Sequence, residues 1–274
     1  MTPNPDRLRP PVKTHGGKAY LARKIVALFP DGQKWYAEPF AGGLSVLLAC
    51  PPFQGELAND YNPRVAAMWE VLRDYYEELM GRLMTTAYTE AAFERSRDFC
   101  LDHHHLETKL DLAFHWIVRS RMSRGGLGAS FAWSDRERGG NPGDLNAWLT
   151  FLWAIPAISE RVRAGKLKVT NRKAHELIAD CDGVNTLLYC DPPYMPDTRT
   201  SRKAYGPFEM TVEDHLELLA ALRRCQGKVV LSGYDNPLYR AALAGWRVAR
   251  FDVPNHSGQG ATKERRTECC WMNY

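Results

Sequence analysis

The chain has 274 residues, 45% hydrophobic and 25% charged, with a formal net charge of +4. That is enough chain for one large domain, or one domain with an insertion, around a substantial core. No apolar run reaches the about 18 residues that a membrane span needs, and Met1 to Pro11 is polar and proline-rich rather than a secretory leader.

The seven cysteines are scattered, apart from the adjacent Cys269 and Cys270, and form no Cys-x-x-Cys pair. Reduced thiols in a cytoplasmic protein are expected, not a disulfide framework or a zinc site. The positive charge is clustered. Arg7, Arg9, Lys13, Lys18, Arg23 and Lys24 form one group, Arg119, Arg121, Arg124, Arg136 and Arg138 a second, and Lys263, Arg265 and Arg266 a third. Basic clusters on a balanced chain point to a polyanionic partner.

Residues 1–11 read as a loosely packed arm. Gly16, Gly17 and Lys18 precede a helical pattern of Leu21, Ile25, Val26 and Phe29. Glycines at a helix start let backbone N–H groups approach an anion, and Lys18 adds a charge. Trp35 to Glu38 reads as a strand, Pro39 to Gly43 as a tight turn, and Leu44, Val46, Leu47 and Leu48 as an apolar helix. This is the place of the first βα turn of a Rossmann-like sheet, but it lacks the Gly-x-Gly-x-x-Gly spacing of a dinucleotide site. An adenosine-bearing ligand without a pyrophosphate fits better.

Glu56 to Asp60 reads as a second strand ending in an acid about 20 residues past the glycine turn, where ribose hydroxyls are commonly held. Asn62 and Pro63 open the next helix. Between residues 74 and 165 the pattern becomes helical and reads as an insertion. Leu110 to Val118 is an amphipathic helix leading into the glycine-rich stretch Arg124 to Gly128, expected to project as a loop or hairpin. His103, His104 and His105 are consecutive, so they share no helix face, and a metal role is not assigned.

Leu167 to Thr170 resumes the sheet, and Ala174 to Ile178 is a short helix. Leu187 to Cys190 reads as a buried central strand, halted by Asp191, Pro192, Pro193 and Tyr194. A carboxylate and an aromatic ring at the carboxyl end of such a strand lie where open α/β sheets bind ligands. Met195 to Phe208 reads as a mobile loop over the site, Val212 to Leu222 as a helix and Lys228 to Gly233 as another buried strand. Trp246 to Val253 and Arg266 to Met272 suit a closing antiparallel pair.

Taken in order, Gly16-Gly17-Lys18, Glu38-Pro39-Phe40-Ala41-Gly42-Gly43, Asp60 and Asp191-Pro192-Pro193-Tyr194 resemble the Dam-type, D12 class DNA adenine-N6 methyltransferases of bacteria and phages. The resemblance spans nearly the whole chain. It implies an α/β, Rossmann-like, mostly parallel methyltransferase sheet with an antiparallel closing strand, formed by residues 1–73 and 166–274. Residues 74–165 would then be the inserted helical target-recognition region.

The resemblance further implies methyl transfer from S-adenosylmethionine to adenine N6 in double-stranded DNA, with no metal. Gly17, Lys18, Glu38, Pro39, Phe40, Gly42, Asp60 and Asp191 would hold the cofactor, with Lys18 on its methionine carboxylate and Asp60 on the ribose. Thr14 stands where the family often places an aromatic residue. Asp191, Pro192, Pro193 and Tyr194 would be catalytic, with Tyr194 stacking on a flipped base. Arg119, Arg121 and Arg124 would contact DNA. Expected partners are duplex DNA and a cognate restriction endonuclease, the chain acting as a monomer or weak dimer away from membranes. Cytosine-N4 methylation and a non-catalytic nucleic-acid-binding module of the same fold are the alternatives.

Overall fold

The structure, a computed structural model, describes residues 8–14, 16–101, 107–138, 140–198, 205–254 and 265–274. The run His103 to His105, the first seven residues of the arm, the middle of the loop after Tyr194 and Lys263 lie outside the described residues.

In chain order the elements begin with α1 (Ala22–Val26), β1 (Trp35–Glu38), β2 (Gly55–Asn59) and α2 (Pro63–Asp74). The helical stretch follows as α3 (Tyr76–Met84), α4 (Glu90–Leu101), α5 (Lys109–Arg121), the small ribbon β3 (Glu137–Arg138) and β4 (Asn141–Pro142), and α6 (Gly143–Ala164). The chain then returns to the sheet through β5 (Lys168–Thr170), α7 (Ala174–Cys181), β6 (Thr186–Cys190), α8 (Val212–Arg224), β7 (Lys228–Tyr234), α9 (Pro237–Ala242), β8 (Arg247–Pro254) and β9 (Arg265–Met272).

The main sheet has seven strands in the order β5-β2-β1-β6-β7-β9-β8. The first five run parallel, and β9 is antiparallel to both β7 and β8. Ala37 in β1 sits between Leu57 of β2 and Leu188 of β6, so β1 is central and the strand order reverses beside it. That reversal opens a crevice at the strands' carboxyl ends, the usual ligand site of such sheets.

The two-residue alternation of the strands sorts the core into two faces. Tyr36, Leu187, Tyr189, Val230 and Cys270 face one cluster, shared with α2, α5 and α6. Ala37, Leu188, Cys190, Val229 and Leu231 face the other, shared with α7 and α8. The segment α3 to α6 therefore has no separate core. It packs on α2 and continues the sheet's own hydrophobic layer.

Local sequence explains the helix starts. Asn62 accepts the Arg64 N–H and Pro63 occupies the first helical position of α2. Thr108 with Asp111, and Thr211 with Asp214, form reciprocal capping boxes on α5 and α8.

One expected element is different. Leu44 to Leu48 does not form an α-helix; only a single 3₁₀ turn, Leu47–Ala49, is present. Gly42 and Leu44 both have positive φ, at 44° and 48°. Some of the turn's polar groups bond locally, as Leu48 N–H does to the Leu44 carbonyl, and others find partners outside it: the Leu47 N–H donates to the Glu38 side chain at 2.8 Å, and the Gly42 carbonyl accepts from the Trp69 indole at 2.9 Å. These tertiary bonds take up groups that a regular helix would pair along its ladder, and Pro51 and Pro52 prevent its extension.

Candidate active site

Glu38, Asp60 and Asp191 stand at or just past the carboxyl ends of β1, β2 and β6, three adjacent strands. They line one cavity of about 550 Å³, together with Gly16, Gly17, Lys18, Phe40 and Gly42. Cavities of this size suit a small ligand with several polar anchors.

Asp60 is the acidic anchor of the β2 edge. Its Oδ2 accepts the Gly42 N–H and its Oδ1 the Asn62 N–H, both at 2.9 Å. Each oxygen keeps a further acceptor position. Burial pushes the carboxyl up to about 6, against the two backbone N–H groups that favour its charge.

Glu38 behaves differently. It is buried, and its Oε1 accepts both the Tyr36 hydroxyl at 2.7 Å and the Leu47 N–H. Burial raises its pKa to about 8, so it carries a proton at neutral pH and fastens the turn after β1. The Pro39 carbonyl accepts from the Asn59 amide, which ties the same turn to β2.

Asp191 is joined to Lys18 by an ion pair of 2.9 Å through Oδ1, and its side chain remains 19% exposed to the cavity. Lys18 is only 3% exposed. Its ammonium also donates to the Gly16 carbonyl at 2.7 Å, lies 3.4 Å from Glu268 Oε1, and sits 4.7 Å over the Tyr194 ring. Burial works against this charge, but Asp191 and Glu268 outweigh it and push the Lys18 pKa up. Three protein acceptors surround an ammonium that has three protons. A ligand carboxylate would reach Lys18 only by displacing one of them.

Tyr194 is 8% exposed and does not reach the cavity wall, whereas Pro193 does. Its hydroxyl donates to Glu268 Oε1 at 2.8 Å, and its ring meets Tyr234 edge-on at 4.8 Å. Pro192 is buried behind Asp191.

The three arginines singled out from sequence take three positions. Arg119 lines the cavity, its Nε donating to the Gly128 carbonyl at 3.3 Å. Arg121 turns into the fold, donating to the Ala147 carbonyl at 3.2 Å and lying 4.3 Å over Phe151; burial lowers its pKa to about 10. Arg124 is exposed in the glycine-rich turn, beside exposed Leu127.

Sequence reasoning missed Glu268, Tyr61 and Arg64, and named Phe208 only as the end of the loop over the site. Tyr61 and Phe208 meet edge-on at 6.1 Å and line the cavity with Arg64. For Glu268 one signal was available: a lone acid heading the apolar run Cys269 to Met272.

A parallel sheet with an antiparallel closing strand, a glycine turn after β1, an acid after β2 and Asp-Pro-Pro-Tyr after β6 define a Rossmann-like methyltransferase. Residues 15–120 and 148–256 match the family of D12 class N6 adenine-specific DNA methyltransferases, and the chain belongs to that family. It is also similar to the type II methyltransferase M1.LlaDCHI of Lactococcus lactis subsp. cremoris, with 24% identity over 287 residues, covering 99% of this chain and 97% of that protein. The chain is thus an adenine-specific DNA methyltransferase, acting on N6 of adenine in DNA. Enzymes of this class generally draw the methyl group from S-adenosylmethionine. Among the described residues, no helix is long and apolar enough to cross a membrane.

Proposed function

We propose that the enzyme methylates adenine in a specific duplex sequence by drawing the base out of the helix into the cavity beside Asp191. The single observation that carries this reading is the convergence of Asp60 and Asp191 on one cavity at the switch point of the sheet.

The residues present fit S-adenosylmethionine. Asp60 retains acceptor positions for two ribose hydroxyls, Tyr61 and Phe208 offer aromatic surface for an adenine, and Gly17, Phe40 and Gly42 line the path to Lys18. When bound, the cofactor supplies a methyl group activated by a sulfonium. No metal is required for this chemistry.

The exocyclic nitrogen of adenine is a weak nucleophile because its lone pair is delocalised into the ring. With Oδ1 held by Lys18, Asp191 has Oδ2 left for the cavity. Oδ2 and the Pro192 carbonyl accept the two amino hydrogens, favouring a more pyramidal nitrogen and stabilising the charge that develops on it. Asp191 Oδ2 then takes the proton that the nitrogen sheds. The Tyr194 ring borders the base pocket once its neighbours shift to admit the base.

Extruding a base costs a few kcal/mol. Phosphate contacts from basic residues offset this, and exposed Arg124 with cavity-lining Arg119 supports reading the 74–165 segment as the target-recognition region. Arg121 contributes by holding α5 against α6. The reading also includes action as a monomer or weak dimer in the cytoplasm. It extends the relative's type II description to this chain, with a cognate restriction endonuclease as partner.

The test is incubation with labelled S-adenosylmethionine and unmethylated duplex DNA, one portion being digested to nucleosides to identify the modified base and another sequenced to map its positions. Labelled N6-methyladenine at one recurring sequence is expected. Label spread over all adenines would overturn sequence specificity, and undiminished labelling in the presence of a metal chelator is part of the expectation.

A further inference from the structure

The site holds a carboxylate that the reading above does not use. Glu268 lies in β9, opposite Tyr234 of β7, and is 2% exposed. Its Oε1 is the meeting point of two groups: the Tyr194 hydroxyl at 2.8 Å and the Lys18 ammonium at 3.4 Å. Its Oε2 is buried with no hydrogen-bond partner among the described residues. A buried carboxylate placed this way is costly unless it is compensated. One ammonium therefore serves two carboxylates, and the second of them grips the ring that follows the two prolines.

We propose that Glu268 is a positioning residue for methyl transfer, dividing the Lys18 ammonium with Asp191 and anchoring the Tyr194 hydroxyl. The inference rests on the reading of Asp191 as the group that faces the reacting amine. If Lys18 belonged to Asp191 alone, that carboxylate would be a poorer acceptor for the amino hydrogens and a poorer base for the shed proton. Sharing Lys18 leaves more of the Asp191 negative charge to face the amine. The grip on Tyr194 fixes the exit direction of the chain after Pro193, and with it the aim of Asp191.

The groups facing Glu268 are Lys18 of the amino-terminal segment, Asp191 and Tyr194 after β6, Tyr234 of β7 and the nearby Tyr20. Burial raises the Glu268 pKa, opposed by Lys18 and the Tyr194 hydroxyl, while Asp191 adds to the rise. Removing the Glu268 charge takes a negative neighbour from Asp191 and leaves the Lys18 ammonium to Asp191 alone.

The experiment compares wild type, Glu268→Gln and Asp191→Asn in steady-state kinetics across pH, with cofactor and DNA affinities measured separately. Glutamine keeps the size and an oxygen for Tyr194, but not the charge. The expected result for Glu268→Gln is kcat lower by about tenfold or more, with both affinities unchanged. The acidic limb of its kcat profile moves to lower pH by roughly one unit, the scale of one nearby charge at intermediate dielectric. A purely structural role would not move that limb. Wild-type kcat and an unmoved limb in Glu268→Gln, with Asp191→Asn inactive, overturn this inference and leave the Asp191 reading standing. An active Asp191→Asn overturns the Asp191 reading itself. Should Glu268→Gln not fold, Tyr194→Phe removes only the hydroxyl; reduced kcat at unchanged affinities supports the anchor, and wild-type kcat refutes it.

Discussion

Asp60 offers the most quantitative test of the cofactor site. Asp60→Asn keeps the shape but turns one carboxylate oxygen into an amide group that faces a backbone N–H, of either Gly42 or Asn62. It also removes a charged acceptor from the ribose position. A hydrogen bond to a charged group is worth about 1.5–3 kcal/mol, so the cofactor Kd should rise by roughly 10-fold to 150-fold. The wild-type response to pH carries a second signature. Burial raises the Asp60 pKa to about 6 in the free protein, and only the ionised form accepts two hydroxyls. Affinity should therefore be level above neutrality and fall by up to roughly tenfold per pH unit below about pH 6, because a proton must leave before the diol binds. In the free protein the sign reverses: ionised Asp60 costs the fold stability above its raised pKa, and that cost is recovered as pH falls. Isothermal titration of the cofactor from about pH 5 to pH 8 measures the binding effect. Asp60→Asn should be level throughout. A wild-type Kd independent of pH, or an Asn variant within about twofold of wild type, would refute the ribose assignment.

Asp191→Ala should abolish methyl transfer in the labelled-DNA assay while circular dichroism stays unchanged, since Lys18 keeps Glu268 and the Gly16 carbonyl; near-normal turnover would show that the acceptor lies elsewhere. The buried pair of Arg161 and Glu56, bonded through two contacts of 2.8 Å, links α6 to β2. Arg161→Met should cost about 3–5 kcal/mol in urea unfolding by leaving Glu56 uncompensated, and adding Glu56→Leu should recover most of that loss. Gly125 and Gly126 both have positive φ, but a Cβ on Gly126 would meet the Lys13 backbone at 2.6 Å, whereas one on Gly125 has only a contact of 3.9 Å with Leu127. Gly126→Ala should lower Tm clearly more than Gly125→Ala, and equal losses would argue against the contact between the glycine turn and the amino-terminal segment.

The parts of this enzyme that the sequence itself determined are those set within a few residues. The apolar run Leu187 to Cys190 specifies β6, because a strand covered on both faces is largely apolar. Asn62-Pro63 and Thr211 to Asp214 specify helix starts, because caps act on N–H groups two or three residues away. Pro192 and Pro193 end β6 at Asp191, because proline has no N–H for the ladder. From these the order of the sheet's acids, and hence Asp60 and Asp191, could be read.

Only the tertiary structure decided the rest. The 39–48 turn is not a helix because some of its polar groups bond to Glu38 and Trp69 instead. Arg121 faces inward because α6 supplies a carbonyl and a ring for it. Glu268 reaches Tyr194 from 74 residues away because β9 inserts antiparallel between β7 and β8. Partners for buried charges are chosen by which strand closes the sheet. No local pattern carries that choice, because burial and electrostatics act through space, across whatever lengths of chain the fold brings together.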